Sequence, residues 1–142
     1  MVRIKHRYII AQVLVEARYP SEFSNKDIIV SIREKIQMLS GDLGSGSFGN
    51  NSTIRLYDDT SKIFVLRVPR EAELEVRLAT CSVTSVKKSN AIIRVLAVAG
   101  CIRTCREKIA ALFSIFKNGI ADEPDAAAFE DKYAELIKAC DL

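Results

Sequence analysis

Chemistry at the level of single residues would require a nucleophile, an acid–base pair or a metal, and the chain offers few candidates for any of them. Cys101 falls where a strand should meet a helix, a position that lowers a thiol pKa. A phosphatase-type loop, however, needs an arginine six positions after the cysteine, and Glu107 stands there. The only histidine, His6, lies in a basic run with no neighbouring acid to orient it as a base, so it reads as solvated or in contact with phosphate. Asp58-Asp59 could approach a divalent ion, but a hairpin turn accounts for both acids. No Gly-rich phosphate loop followed by Lys-Ser/Thr and no dinucleotide fingerprint occurs. The four cysteines, Cys81, Cys101, Cys105 and Cys140, would need distant partners to build a zinc site, and they read as small, mostly buried apolar residues. The expectation is a chain with no catalytic residues, no metal and no cofactor of its own.

Polyanion binding is better represented. Arg3, Lys5, His6 and Arg7 put four potential cations in five positions, with Tyr8 after them. Such an arm can neutralise phosphates, and its affinity would fall steeply with salt. A second cluster, Gly100-Cys101-Ile102-Arg103-Thr104-Cys105-Arg106, opens a helix. Free backbone N–H groups there, with two arginines three apart on one face, suit an anion. Lys87 and Lys88, in the loop before a strand, add charge. Residues 1–121 hold 19 Lys and Arg against 11 Asp and Glu, an excess of eight, whereas residues 122–142 hold 2 against 7. A basic body with an acidic tail raises the encounter rate with a polyanion.

The elements that must position these residues follow from periodicity. Arg7–Ala17, rich in Ile and Val, predicts a strand. A helix follows, capped by Ser24, with Asp27 at its third position and Phe23 and Ile28 at staple positions. Ile28, Ile32, Ile36 and Leu39 form its apolar stripe, and Gly41 should end it. The stretch 41–51, rich in Gly, Ser and Asn, predicts a loop. Ser52–Tyr57 and Lys62–Val68 predict a hairpin. Pro69 should open a second helix with Leu74, Leu78 and Cys81 on one face. Ala91–Ala99 predicts the fourth strand. A third helix carries Ile102, Cys105, Ile109, Leu112, Phe113 and Phe116 and stops near Asn118-Gly119. A fourth, from Pro124, places Phe129, Tyr133, Leu136, Ile137 and Cys140 inward.

The order β-α-β-β-α-β-α-α predicts an α+β class, with a ferredoxin-like βαββαβ antiparallel sheet followed by two further helices. Ile63–Leu66 and Ile92–Leu96 are apolar on both alternations, so these strands should be covered on both faces, with the two extra helices as the second cover. An open RNA-recognition sheet is therefore disfavoured, and its aromatic core sequence is missing. The chain reads as one domain over residues 1–142: a basic arm (1–6), the core with the third helix (7–117) and an acidic helical tail (118–142). No apolar run is long enough to span a bilayer, and the segment behind the basic start is too short and β-like for a signal peptide, so a soluble intracellular protein with no membrane partner is expected.

The two basic clusters also carry a family resemblance. Met1-Val2-Arg3-Ile4-Lys5-His6-Arg7-Tyr8 resembles the opening of the small conserved protein subunit of eukaryotic ribonuclease P and ribonuclease MRP, the "processing of precursor" family shared with archaea. Gly100-Cys101-Ile102-Arg103-Thr104-Cys105-Arg106 is similar to that family's Gly-Thr-Ile-Arg-Thr-Cys segment, with Cys101 in place of the usual threonine. Arg55-Leu56-Tyr57 through Lys62–Val68 looks like its hairpin. The likeness covers about residues 1–116. It implies a non-catalytic role, in which RNA with bound metal ions cleaves phosphodiesters and the protein supports its fold. It further implies function in 5′ maturation of precursor tRNA and in ribosomal RNA processing, in the nucleus and nucleolus. The implied partners are the ribonuclease P/MRP RNA, precursor tRNA, a TIM-barrel-like ribonuclease P subunit and other subunits of the particle. Arg3, Lys5, His6, Arg7, Lys87, Lys88, Arg103, Thr104 and Arg106 are the expected RNA contacts. Two other classes stay open: a ferredoxin-like regulatory domain that binds a small ligand or self-associates, and a thiol enzyme using Cys101.

Overall fold

The computed structural model describes residues 5–15, 24–58 and 62–119. Arg3, Phe23 and the expected fourth helix from Pro124 lie outside the described residues. Five strands and three helices follow in the order β1 (His6–Val15), α1 (Asn25–Asn51), β2 (Thr53–Tyr57), β3 (Ile63–Pro69), α2 (Glu73–Cys81), β4 (Ser85–Val86), β5 (Ser89–Ala99) and α3 (Ile102–Gly119). The sheet order is β2-β3-β1-β5-β4, and every described pairing is antiparallel. Without the two-residue β4, this is the α+β ferredoxin-like arrangement the sequence predicts.

Strand alternation splits the core into two layers. Ile9, Ala11 and Val13 of β1, with Phe64, Leu66 and Val68 of β3, face α1 and α2, where Ile28, Ile32, Ile36, Val76 and Ala79 meet them. The intervening residues Ile10, Ile63 and Val65, with Leu56, face α3 and pack on Cys105, Ile109 and Phe113. The result is helix pair, sheet, helix: β3 is enclosed on both sides, as its unbroken apolar run implies. At the start of β5 the expectation fails, because Ile92 is 63% exposed and its cross-strand neighbour Leu14 is 43% exposed. Among the described residues, α3 does not reach that far along the strand.

Local signals explain the first helix. The Ser24 amide donates to Asp27 Oδ2 at 3.0 Å, and the Asp27 amide returns a bond to Ser24 Oγ at 3.3 Å, a reciprocal cap. Gly41 does not end this helix. It adopts φ 71 and ψ −164, a conformation open only to glycine, and helix resumes after it to Asn51. The loop expected over 41–51 is thus a second helical segment set off by a kink.

Three further expectations are revised. Pro69 ends β3 and precedes a 3₁₀ turn, Arg70–Ala72, so α2 starts only at Glu73. Leu74, Leu78 and Cys81 point outward, while Val76, Ala79 and Thr80 are buried against α1 and β5. Thr80 keeps its hydroxyl satisfied on the Val76 carbonyl at 2.7 Å. Lys87-Lys88 is not a plain loop either. Both residues have positive φ, 48 and 64, and form the two-residue turn of the β4–β5 hairpin.

Candidate nucleic-acid interface

The antiparallel register brings the two basic segments together. Tyr8 of β1 lies opposite Ala99 of β5, so the start of β1 and the start of α3 share one end of the sheet. A Cβ placed on Gly100 would sit 3.6 Å from Arg7 Nη1, so the guanidinium lies directly against the turn into α3. Segments more than ninety positions apart thereby form a single basic end.

The amino-terminal cations are less free than an arm would allow. Lys5 is exposed, but its carbonyl already accepts the Arg70 amide at 2.8 Å. The strand begins at His6, which pairs with Pro69, and Arg7 pairs with Val68. Arg7 Nη1 also donates to the His6 carbonyl at 3.2 Å. His6 and Arg7 are therefore held by the sheet rather than carried on a tether.

At the helix start, the Cys105 amide donates to the Cys101 carbonyl at 3.0 Å. Cys101 Sγ is 3.1 Å from Thr104 Oγ1. The Thr104 hydroxyl, then its amide, hold the Cys101 thiol below its ordinary pKa, with smaller help from the amide and charge of Arg103. Cys101 is exposed, as is Cys81; of the described cysteines only Cys105 is buried. The expectation of packed, buried cysteines holds for that one alone. Arg103 is 90% exposed and pairs with Glu107 at 3.5 Å, a surface ion pair that a phosphate can displace. Arg106 is half-buried and engaged within the chain, and Lys108 Nζ caps the Val98 carbonyl at 2.6 Å.

Lys87 and Lys88 are not part of this assembly. They precede β5, whereas Gly100 follows it, and eleven residues of strand separate the two ends by about 35 Å. Lys87 instead neighbours Asp27 at the start of α1.

Two cations that sequence reasoning assigned no role complete the basic end. Arg67 lies opposite Tyr8 on β1 and opposite Thr53 on β2, on the α3 side of the sheet. Arg55 occupies the register shift between Ile54 and Leu56, where a bulge re-aims a side chain. Arg67 Nη2 is 2.9 Å from His6 Nε2. Burial first, then the charges of Arg67 and Arg55, lower the His6 pKa, and the Val68 carbonyl opposes them. The signal available in sequence was the polar interruption of two apolar strands, Ile54-Arg55-Leu56 and Leu66-Arg67-Val68.

No group of three His, Cys, Asp or Glu side chains among the described residues is arranged to hold a metal ion. No described helix is long and apolar enough to cross a membrane.

Comparison with known proteins places this architecture. The Rpp14/Pop5 family matches residues 7–110, from the start of β1 into α3. The chain belongs to the Rpp14/Pop5 family. Within that family it is 34% identical over 112 residues to ribonuclease P protein component 2 of Thermococcus gammatolerans, covering 79% of this chain and 88% of that protein. It is 30% identical over 141 residues to the ribonuclease P/MRP protein subunit POP5 of Schizosaccharomyces pombe, covering 87% and 98%. A probable ribonuclease P/MRP protein subunit POP5 of Arabidopsis thaliana is 26% identical over 114 residues, covering 75% and 76%. The fold is also similar to that of a chain in the cryo-EM structure of yeast ribonuclease MRP, with TM-score 0.50 and 12% identity over 86% of this chain and 96% of that one. The match begins at Arg7 and takes in Arg55, Arg67, Arg103 and Arg106.

Proposed function

We propose that this chain is a non-catalytic RNA-binding subunit of a ribonuclease P or ribonuclease MRP particle. In this reading it supports the RNA that matures the 5′ end of precursor tRNA or processes ribosomal RNA. The observation that carries the reading is the meeting of Arg7 with the Gly100 turn, which merges two basic segments into one end of a Rpp14/Pop5 sheet. Hydrolysis and its metal ions belong to the RNA. The protein contributes fixed positive charge and backbone N–H groups at the α3 start, which favour one arrangement of the phosphodiester backbone. Lys5, Arg7, Arg103, Thr104 and Arg106 form the contact surface, and Arg3 adds charge ahead of β1. A TIM-barrel-like subunit and the other proteins of the particle are the proposed protein partners, and the nucleus and nucleolus the proposed compartments.

Affinity purification of the full chain tests the reading. Ribonuclease P or MRP RNA should co-purify, and recovery of neither RNA would overturn it. In a direct titration, Arg103→Gln with Arg106→Gln should weaken RNA binding and flatten the slope of log affinity against log salt by about 0.7–0.9 per lost phosphate contact.

A further inference from the structure

His6, Arg55 and Arg67 gather at one end of the sheet from three adjacent strands. A guanidinium can only donate, so the 2.9 Å contact from Arg67 Nη2 makes His6 Nε2 the acceptor and leaves the imidazole proton on Nδ1. That Nδ1 is buried and faces the Val68 carbonyl without making a well-formed hydrogen bond, and Arg67 Nε is buried with no partner. A guanidinium N–H is thus withdrawn from water with no acceptor and the imidazole N–H is poorly satisfied, an arrangement folded proteins rarely tolerate without a role for it. Repulsion accumulates as well, because Arg55 adds a second positive charge close enough to depress the His6 pKa. Among the described residues, no carboxylate pairs with Arg55 or Arg67; Glu73 and Glu107 are engaged elsewhere, with Arg77 and Arg103. Asp58 belongs to the opposite end of β2, away from the Thr53–Arg67 pairing.

We infer that His6, Arg55 and Arg67 form a seat on the α3 side of the sheet for one phosphodiester group of the bound RNA. The inference rests on the RNA-binding reading and locates a contact that neither basic segment supplies alone. Three adjacent strands contribute: Arg55 from the β2 bulge, Arg67 from β3 and His6 from β1. A phosphate brings the acceptor oxygens the buried donors lack, and its charge offsets the repulsion between the cations. Arginine suits the task because its planar fork matches two phosphate oxygens at once. Thr53, opposite Arg67 and exposed, places a hydroxyl at the same edge. The seat adjoins Tyr8, so an RNA strand lying along the basic end meets it next to Arg7 and the α3 start.

The test uses the full chain with ribonuclease P RNA, titrated over a series of salt concentrations. Arg55→Gln with Arg67→Gln should weaken binding roughly ten- to hundredfold, the range of charge-assisted hydrogen bonds. The salt slope should fall by about 0.7–0.9, the signature of one phosphate. Lys26→Gln, at the far end beside Asp27, should leave the slope unchanged. Because Arg55 is exposed, Arg55→Gln alone carries the test should the double variant melt early. His6 is the only histidine, so a histidine-labelled chain gives one imidazole NMR signal, which should shift on RNA binding and stay in place in the double variant. An unmoved signal, or an unchanged slope in the variants, would remove the seat while leaving steep wild-type binding and the RNA reading intact. Wild-type binding without salt dependence would overturn both.

Discussion

Replacing Phe113 by alanine tests the layer on which the basic end depends. Phe113 is 1% exposed and is the largest of the described side chains that α3 buries, packed with Ile109 and Cys105 on Ile10, Ile63, Val65 and Leu56. Truncating a fully buried phenylalanine typically costs about 3–5 kcal/mol, part lost transfer free energy and part residual cavity. Global stability of a domain this size is about 5–15 kcal/mol, so Phe113→Ala should stay folded in most conditions yet be visibly weakened. At about 3–4 °C per kcal/mol the melting temperature should drop by roughly 10–20 °C. Urea unfolding followed by far-UV circular dichroism gives the free energy directly, with an unchanged m value confirming that the transition remains two-state. The internal control is Ile115→Ala on the same helix. Ile115 is 66% exposed, and its truncation should change stability by less than about 0.5 kcal/mol. A Phe113→Ala loss below about 1 kcal/mol, indistinguishable from the control, would refute the docking of α3 on the sheet and with it the shared end of Arg7 and the α3 start.

Three further outcomes follow from local geometry. Asp27→Ala removes the reciprocal cap with Ser24 and should cost about 1 kcal/mol by urea unfolding. The bonds from Ser24 hold the Asp27 pKa below its ordinary value of about 3.9, so this contribution is complete above that pH and fades as pH falls through the folded-state value; the gap between wild type and variant should close on acidification. Gly41→Ala meets no atom within 4 Å, so its cost is backbone alone, about 1–3 kcal/mol for a φ of 71 with ψ −164; a neutral result by thermal melting would show that the kink straightens. Replacing Lys87-Lys88 by Asn-Gly fits both positive-φ positions and should stabilise the hairpin by about 1–2 kcal/mol without weakening RNA binding, since the turn lies at the far end of the sheet.

How far the sequence revealed this molecule can be judged residue by residue. The Ser24–Asp27 cap and the β-α-β-β-α-β order are local or periodic signals, and both hold. The face of α2 did not follow from hydrophobicity. Two stripes compete at helical spacing, Leu74-Leu78-Cys81 and Val76-Ala79-Thr80, and the narrow gap against α1 and β5 selects the smaller side chains. Composition misled at 41–51, because a single glycine at a special φ and ψ lets helix resume through a segment rich in loop-forming residues. For the interface, both basic segments were visible, but their meeting was not, since it depends on the β1–β5 register. Arg55 and Arg67 were hidden for the same reason: each looks like an ordinary outward residue until β2, β3 and β1 are aligned and His6 falls beside them.

The two borders of the sheet have a practical consequence. On one side β4 offers only Ser85 and Val86 before the chain turns through two lysines; on the other, β2 is five residues long and dislocated at Arg55. The β2 margin is too short and too dislocated to recruit a foreign strand, and its arginine repels a like copy; the other margin differs, because β4 pairs only with Ser89 and Asn90 and leaves most of the eleven-residue β5 without a described strand partner on that side. A partner that extends this sheet would therefore do so along β5, whereas at the β2 border a neighbour must grip the protein by helix and loop.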